Sequence, residues 1–155
     1  MATLSFKCLH ETNEDSPSDS PYFLVYVGDR ENNRSDVRRV KNDAWDDEVD
    51  AGDPVLTQNN ITFSTSVKKF SIVLVALIEE DWDADTGLTS SVRNKMNDFD
   101  NSLSTTSAST LRLKFINAIE DNLINDDLVN VQRVSNNAWQ TLAGDEAIYQ
   151  VKMTF

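Results

Sequence analysis

Lys69-Phe-Ser-Ile-Val-Leu-Val-Ala-Leu-Ile78 runs directly into Glu79-Glu-Asp-Trp-Asp-Ala-Asp-Thr-Gly87. The first stretch is the most continuous apolar run in the chain. Its β-branched residues and short length predict a central strand buried on both faces. The second stretch is an acidic loop. Beyond it the hydrophobic period changes. Leu88, Val92, Met96, Phe99 and Leu103 recur at steps of three and four, which is one helical stripe. Ser and Thr at 89–91 can cap its start. A Ser/Thr-rich link over 104–110 leads to a second stripe of Leu111, Phe115, Ala118, Ile119 and Leu123. Both stripes are read as core-facing helix surfaces, and Asn125-Asp-Asp127 stops the second helix.

Outward from this centre the chain reads as strands. Leu4, Phe6 and Cys8 alternate with Ser5 and Lys7, a half-buried strand pattern from Thr3 to His10. A polar loop with two prolines follows to Pro21. Tyr22-Phe-Leu-Val-Tyr-Val27 is continuously apolar and predicts a second strand buried on both faces. Residues 29–36 read as a turn, Val37 to Val40 as a short strand, and Asn42 to Pro54 as an acidic loop. Asn60-Ile-Thr-Phe-Ser-Thr65 is expected to be a strand. Leu128 to Val134 has strand-like composition, with a further helical turn as the alternative. Tyr149, Val151, Met153 and Phe155 alternate in a final strand. The order is strands, two helices, then strands, without βαβ alternation, so a Rossmann or barrel enzyme is not expected. The expected fold is mainly β: an antiparallel β-sandwich in one domain, 1–155, with an inserted pair of α-helices over 88–124.

The chain has 155 residues, with 26 acidic and 14 basic side chains, one His and one Cys, and a formal charge of −12. A phosphate-backbone binder needs clustered Lys and Arg to release counterions. The one dense basic stretch, Arg34 to Lys41, is flanked by acids, so nucleic acid and bare anionic membrane are not expected partners. Cys8 alone forbids an internal disulfide, and one Cys with one His is too few for a Cys/His zinc site. No stretch resembles a signal peptide or reaches the ~20 apolar residues of a membrane span, so a cytoplasmic location is expected. No Gly-x-Ser-x-Gly and no Gly-rich phosphate loop occurs, and His10 has no evident partner.

The acids point to a hard cation. Calcium takes six to eight oxygen ligands from carboxylates, amides and carbonyls on loops. Asp81, Asp83 and Asp85 alternate directly after the central strand. An EF-hand is excluded, because Thr86 stands where the sharp turn needs Gly and Val92 where a bidentate Glu belongs. A site built from several loops escapes that objection. Asn13, Glu14, Asp15 and Asp19 lie between the first two strands, and Asp126 and Asp127 just before a late one. The competing reading is ordinary solvated turn chemistry. Trp45 and Trp82 sit in acidic loops and Trp139 in a polar turn. Each could anchor a partner or fold back over a core edge.

Cys8-Leu-His-Glu-Thr-Asn-Glu14, Ser18-Asp-Ser-Pro-Tyr-Phe-Leu-Val25, Ala51-Gly-Asp53, Val75-Ala-Leu-Ile-Glu-Glu-Asp-Trp82 and Asn125-Asp-Asp-Leu-Val129 together resemble the C2-like calcium-binding β-sandwich family. The resemblance covers about half the chain in short fragments. It implies calcium held by acidic loops at one end of two packed sheets, in a module that binds lipids or proteins. The ligands it carries over are Asp19, Asp81, Asp83 and Asp127. Asn13, Asp15, Glu80, Asp85 and Asp126 are secondary candidates. Two features depart from that family, the helices at 88–124 and the lack of a basic groove for phosphoinositides. The expected function is a non-enzymatic, calcium-dependent binding module. The alternatives are a structural or assembly protein without a metal, and a hydrolase gathering Asp81, Asp127 and His10.

Overall fold

A computed structural model describes residues 1–11, 20–41, 49, 51–80, 87–144 and 147–155. Among these residues the chain forms eight strands and two α-helices. The strands are β1 (Ala2–Glu11), β2 (Ser20–Asp29), β3 (Arg34–Val40), β4 (Leu56–Ile61), β5 (Ile72–Glu80), β6 (Asp127–Val134), β7 (Trp139–Ala143) and β8 (Ala147–Thr154). The helices α1 (Leu88–Asn97) and α2 (Ala108–Glu120) lie between β5 and β6. The strands make two antiparallel four-stranded sheets, ordered β4-β1-β8-β7 (sheet 1) and β3-β2-β5-β6 (sheet 2). The mainly β, two-sheet expectation with inserted helices is thus met.

The sheets pack face to face. Leu4, Phe6 and Cys8 of β1 and Tyr149, Val151 and Met153 of β8 meet Phe23, Val25 and Val27 of β2 and Val73, Val75 and Leu77 of β5. The Phe6 and Phe23 rings lie 4.9 Å apart at 60°, a tilted pair bridging the sheets. The other face of sheet 2 is covered by the helices. Tyr22, Leu24, Tyr26, Leu74, Ala76 and Ile78 pack against Val92, Met96, Leu111, Phe115 and Ile119. The molecule therefore has three layers, and β2 and β5 are buried on both sides. This is why those two segments read as unbroken apolar runs, while β1 and β8 alternate.

Several boundaries differ from the sequence reading. The edge strand β4 spans Leu56–Ile61 rather than 60–65, and Asn60 breaks its regularity with φ of 60°. Lys69 and Phe70 belong to a turn, and Phe70 is exposed. β3 starts at Arg34, inside the stretch expected as a turn. Residues 128–134 are strand. Trp139 opens β7, a strand the sequence reading missed. The first helical stripe is not one helix. α1 ends at Asn97, and a 3-10 turn at Asp100–Ser102 carries Leu103 back into the core. Nor do Ser or Thr cap α1: its N-cap is Gly87, in the left-handed region at φ 85°. Ser107 does cap α2, accepting from the Thr110 N–H at 3.1 Å. α2 ends at Glu120, before Asn125-Asp-Asp127.

Candidate functional site

The strand register decides where the loops begin and end. In sheet 2, Ser20 pairs with Glu80 and Glu79 with Asp127. Phe23 pairs with Val40, so β3 also ends on this side. In sheet 1, Glu11 pairs with Ala147 and Ala143 with Ile148. Phe6 pairs with Leu56, so β4 begins toward the same end. The two sheets are tied at this end by Asn130 of β6, whose side-chain amide donates to the Ala143 carbonyl at 2.5 Å. A Cβ on Gly144 would stand 2.7 Å from the Val129 side chain, so the backbones need glycine there to approach this closely. Hence the strand ends at Glu11, Ser20, Val40, Glu80, Asp127, Ala143 and Ala147 lie toward one pole, where the connections 12–19, 41–55, 81–87, 121–126 and 144–146 start or finish, and β4 begins midway along β1. The opposite pole holds the turns 30–33, 62–71 and 135–138 and both chain ends.

This topology sorts the charge. Of the 26 acids, all but Asp29, Glu31, Asp36, Asp98, Asp100 and Glu120 lie in the five polar connections or at the strand ends entering them. Lys41 is the one basic residue in those connections. The strand ends that lead into the acidic segments thus share one end of the fold.

Among the candidate ligands, Asp126 and Asp127 are described in full. Asp127 is exposed at the first position of β6. Asp126 is buried, and its Oδ2 accepts a hydrogen bond from the Tyr22 hydroxyl at 2.7 Å. Tyr22 is itself covered by the Arg39 guanidinium, 4.1 Å from its ring centroid. Asp126 thus fixes the turn into β6 to the start of β2, a role its sequence position gave no sign of. Glu80 is the last residue of β5, paired in register with Ser20. Asn13, Asp15, Asp19, Asp81, Asp83 and Asp85 lie outside the described residues, as do Trp45 and Trp82. Among the described residues no group of three or more His, Cys, Asp or Glu is placed to hold a metal. His10 is exposed near the polar end of β1, where the pairing with β8 shifts register. Cys8 is buried in the inter-sheet core, the strand role expected of it.

The acids away from this pole have partners that make them structural. Asp36 on β3 is 1% exposed. Its Oδ2 accepts from the Ser64 N–H at 2.7 Å and from Arg38 Nε at 2.9 Å, and its Oδ1 lies 3.0 Å from Arg93 Nε. Burial alone would raise its pKa. The Ser64 donors and the Arg38 charge outweigh that and hold the carboxyl below its ordinary value. Asp29, at the end of β2, is similar. Burial pushes it up, but the Asn32 side chain, the Asn32 and Glu31 N–H groups and Lys68 bring it below the ordinary value. Ser35 donates to Asp100 Oδ1 at 2.5 Å and Arg93 donates to the Val37 carbonyl at 2.6 Å, binding β3 to the helical layer.

Comparison with family models, with curated proteins and with solved structures finds no match to this chain. No described helix is long and apolar enough to cross a membrane.

Proposed function

We propose that the chain is a non-enzymatic binding module whose acidic pole takes up calcium, in the manner of a C2-like sandwich. The observation that carries this reading is the shared pole: strand ends that lead into connections rich in Asp and Glu, with Lys41 as their one base, lie at the same end of two packed sheets. Carboxylates drawn together repel unless water or a cation screens them, and calcium is the cation suited to flexible oxygen-rich loops. Asp19 directly precedes Ser20, Asp81 directly follows Glu80, and Asp127 pairs beside them through Glu79. These three, with Asp83, are the proposed ligands. Asn13, Asp15, Glu80, Asp85 and Asp126 supply further oxygens or orient the first set. Asp126 acts from beneath, through its bond to Tyr22. Calcium would order the loops and turn a repulsive surface into one able to receive an anionic or polar partner.

Isothermal titration tests the reading. Wild-type protein should give saturable heat with calcium below millimolar concentration, and Asp81→Asn should weaken binding at least tenfold. Absence of heat from wild type at millimolar calcium would remove the metal from the proposal.

A further inference from the structure

The outer face of sheet 1 is the one sheet face that no layer of described residues covers, and its chemistry contrasts with that of the pole. Outward positions from Thr3 to Lys7, Thr57 to Asn59, Trp139 to Ala143 and Ile148 to Thr154 carry hydroxyls, amides, apolar groups and two lysines, but no Asp or Glu. Side chains already form cross-strand rows here. Ser5 and Thr57 hydroxyls lie 3.0 Å apart, and Thr3 donates to Asn59 at 3.3 Å. Near one edge, Trp139 is 37% exposed. The Lys7 and Lys152 ammoniums stand 5.1 and 5.0 Å from its ring centroid. Among the described residues neither ammonium has a carboxylate partner. A large aromatic with two cations that have no carboxylate partner among the described residues is complementary to an anion that also offers apolar surface.

We propose that this face docks a short acidic peptide segment of a partner protein, laid across the strands with two carboxylates on Lys7 and Lys152 and an apolar side chain against Trp139. Size selects the occupant. The β4-β1, β1-β8 and β8-β7 ladders run about five, eight and five residues with strands about 4.8 Å apart, and their stagger leaves a plane of about 300 Å². That falls well short of the ~800 Å² per partner of a stable globular interface. It suits about six extended residues. Both ammoniums lie about 5 Å from one centroid, so they are at most about 10 Å apart. Carboxylates at alternate positions of an extended chain, about 6–7 Å apart, can reach both. The site shares no residue with the calcium pole.

The test is an amide NMR titration of the full chain in EDTA with the capped hexapeptide Ser-Glu-Ser-Glu-Ser-Val, whose Glu and Val side chains share one face when extended, and with its Gln-for-Glu counterpart. The Trp139 indole resonance is assigned by W139F. The expected result is shifts at the Trp139 indole and the Lys7, Thr141, Gln150 and Lys152 amides with the Glu peptide. Binding should be at least tenfold weaker with the Gln peptide, in the K7Q/K152Q double variant, and at 500 mM salt. Mapping on wild type needs no variant, so a misfolded double variant would not spoil the test. Three outcomes overturn the proposal: no shifts at millimolar peptide, shifts elsewhere, or equal binding by a folded K7Q/K152Q protein. A heparin hexasaccharide or oligothymidylate that shifts the same residues at lower concentration also overturns it, assigning the face to another polyanion.

Discussion

Asp36 joins three parts of the molecule through one carboxylate. It belongs to β3, receives Ser64 from the segment between β4 and β5, and faces Arg93 of α1. Sequence reading passed over it, because Ser64 and Arg93 are remote along the chain and only the folded register brings them near. The Arg38 and Arg93 side chains are partly exposed, at 42% and 32%, so solvent screens the charge pairs. Asp36→Asn keeps the shape, loses the charge and should cost about 2–3 kcal/mol. The pH dependence follows from the depressed pKa. Its stabilisation is complete above the unfolded value of about 3.9 and is lost as pH falls through the lower folded value. Asp29 acts in the same direction. Urea unfolding between pH 7 and 3 should therefore show a plateau to about pH 5 and a decline below about pH 4. The decline should be shallower in Asp36→Asn. An unchanged acid limb in the variant would show that Asp36 carries no such charge-dependent stability.

At the scale of elements, the helices form a third layer. Phe115 of α2 is fully buried, and its ring centroid lies 5.7 Å from that of Tyr26 on β2. Phe115→Ala should cost about 3–5 kcal/mol, as much as Phe6→Ala in the inter-sheet core. Equilibrium urea unfolding of both variants checks this. A loss under about 1 kcal/mol for Phe115→Ala would mean that sheet 2 is stable without its helical cover. The helices were legible because period 3.6 differs from period 2 over many residues. So were β2 and β5, since burial on both faces leaves no polar position. Edges were harder to read. β7 is five residues long and starts with Trp139 outside the core, so its alternation is too short to register. β4 alternates only weakly, with polar residues from Thr57 to Asn60, and the more apolar pattern just past its end drew the assignment forward. The ends of α1 depend on Gly87 and on a 3-10 turn, which hydrophobic spacing does not encode.

At the scale of the whole molecule, the net charge of −12 is unevenly spread. The sequence shows acids concentrated between apolar segments. It does not show that the strand ends flanking those segments lie at the same end, because that follows from strand pairing and from Asn130 joining the sheets. Such a pole should destabilise the fold through self-repulsion, and two kinds of cation effect can then be separated. Sodium chloride acts by screening and should raise the melting temperature gradually between 10 and 150 mM. A bound calcium acts by mass action. With a Kd of about 10 µM, 1 mM calcium adds about 2.7 kcal/mol. For a domain of this size that corresponds to about 5–11 °C, at fixed ionic strength. Magnesium, smaller and more tightly hydrated, should give much less. Replacing Asp19, Asp81, Asp83 and Asp127 together with Asn should move the two conditions oppositely. Without calcium the variant should melt higher than wild type, because repulsion is relieved, and calcium should add almost nothing. Scanning calorimetry of both proteins, with calcium, magnesium and ionic-strength-matched sodium chloride, reads all of these shifts. Equal effects of the three salts on wild type would reduce the pole to a solvating surface.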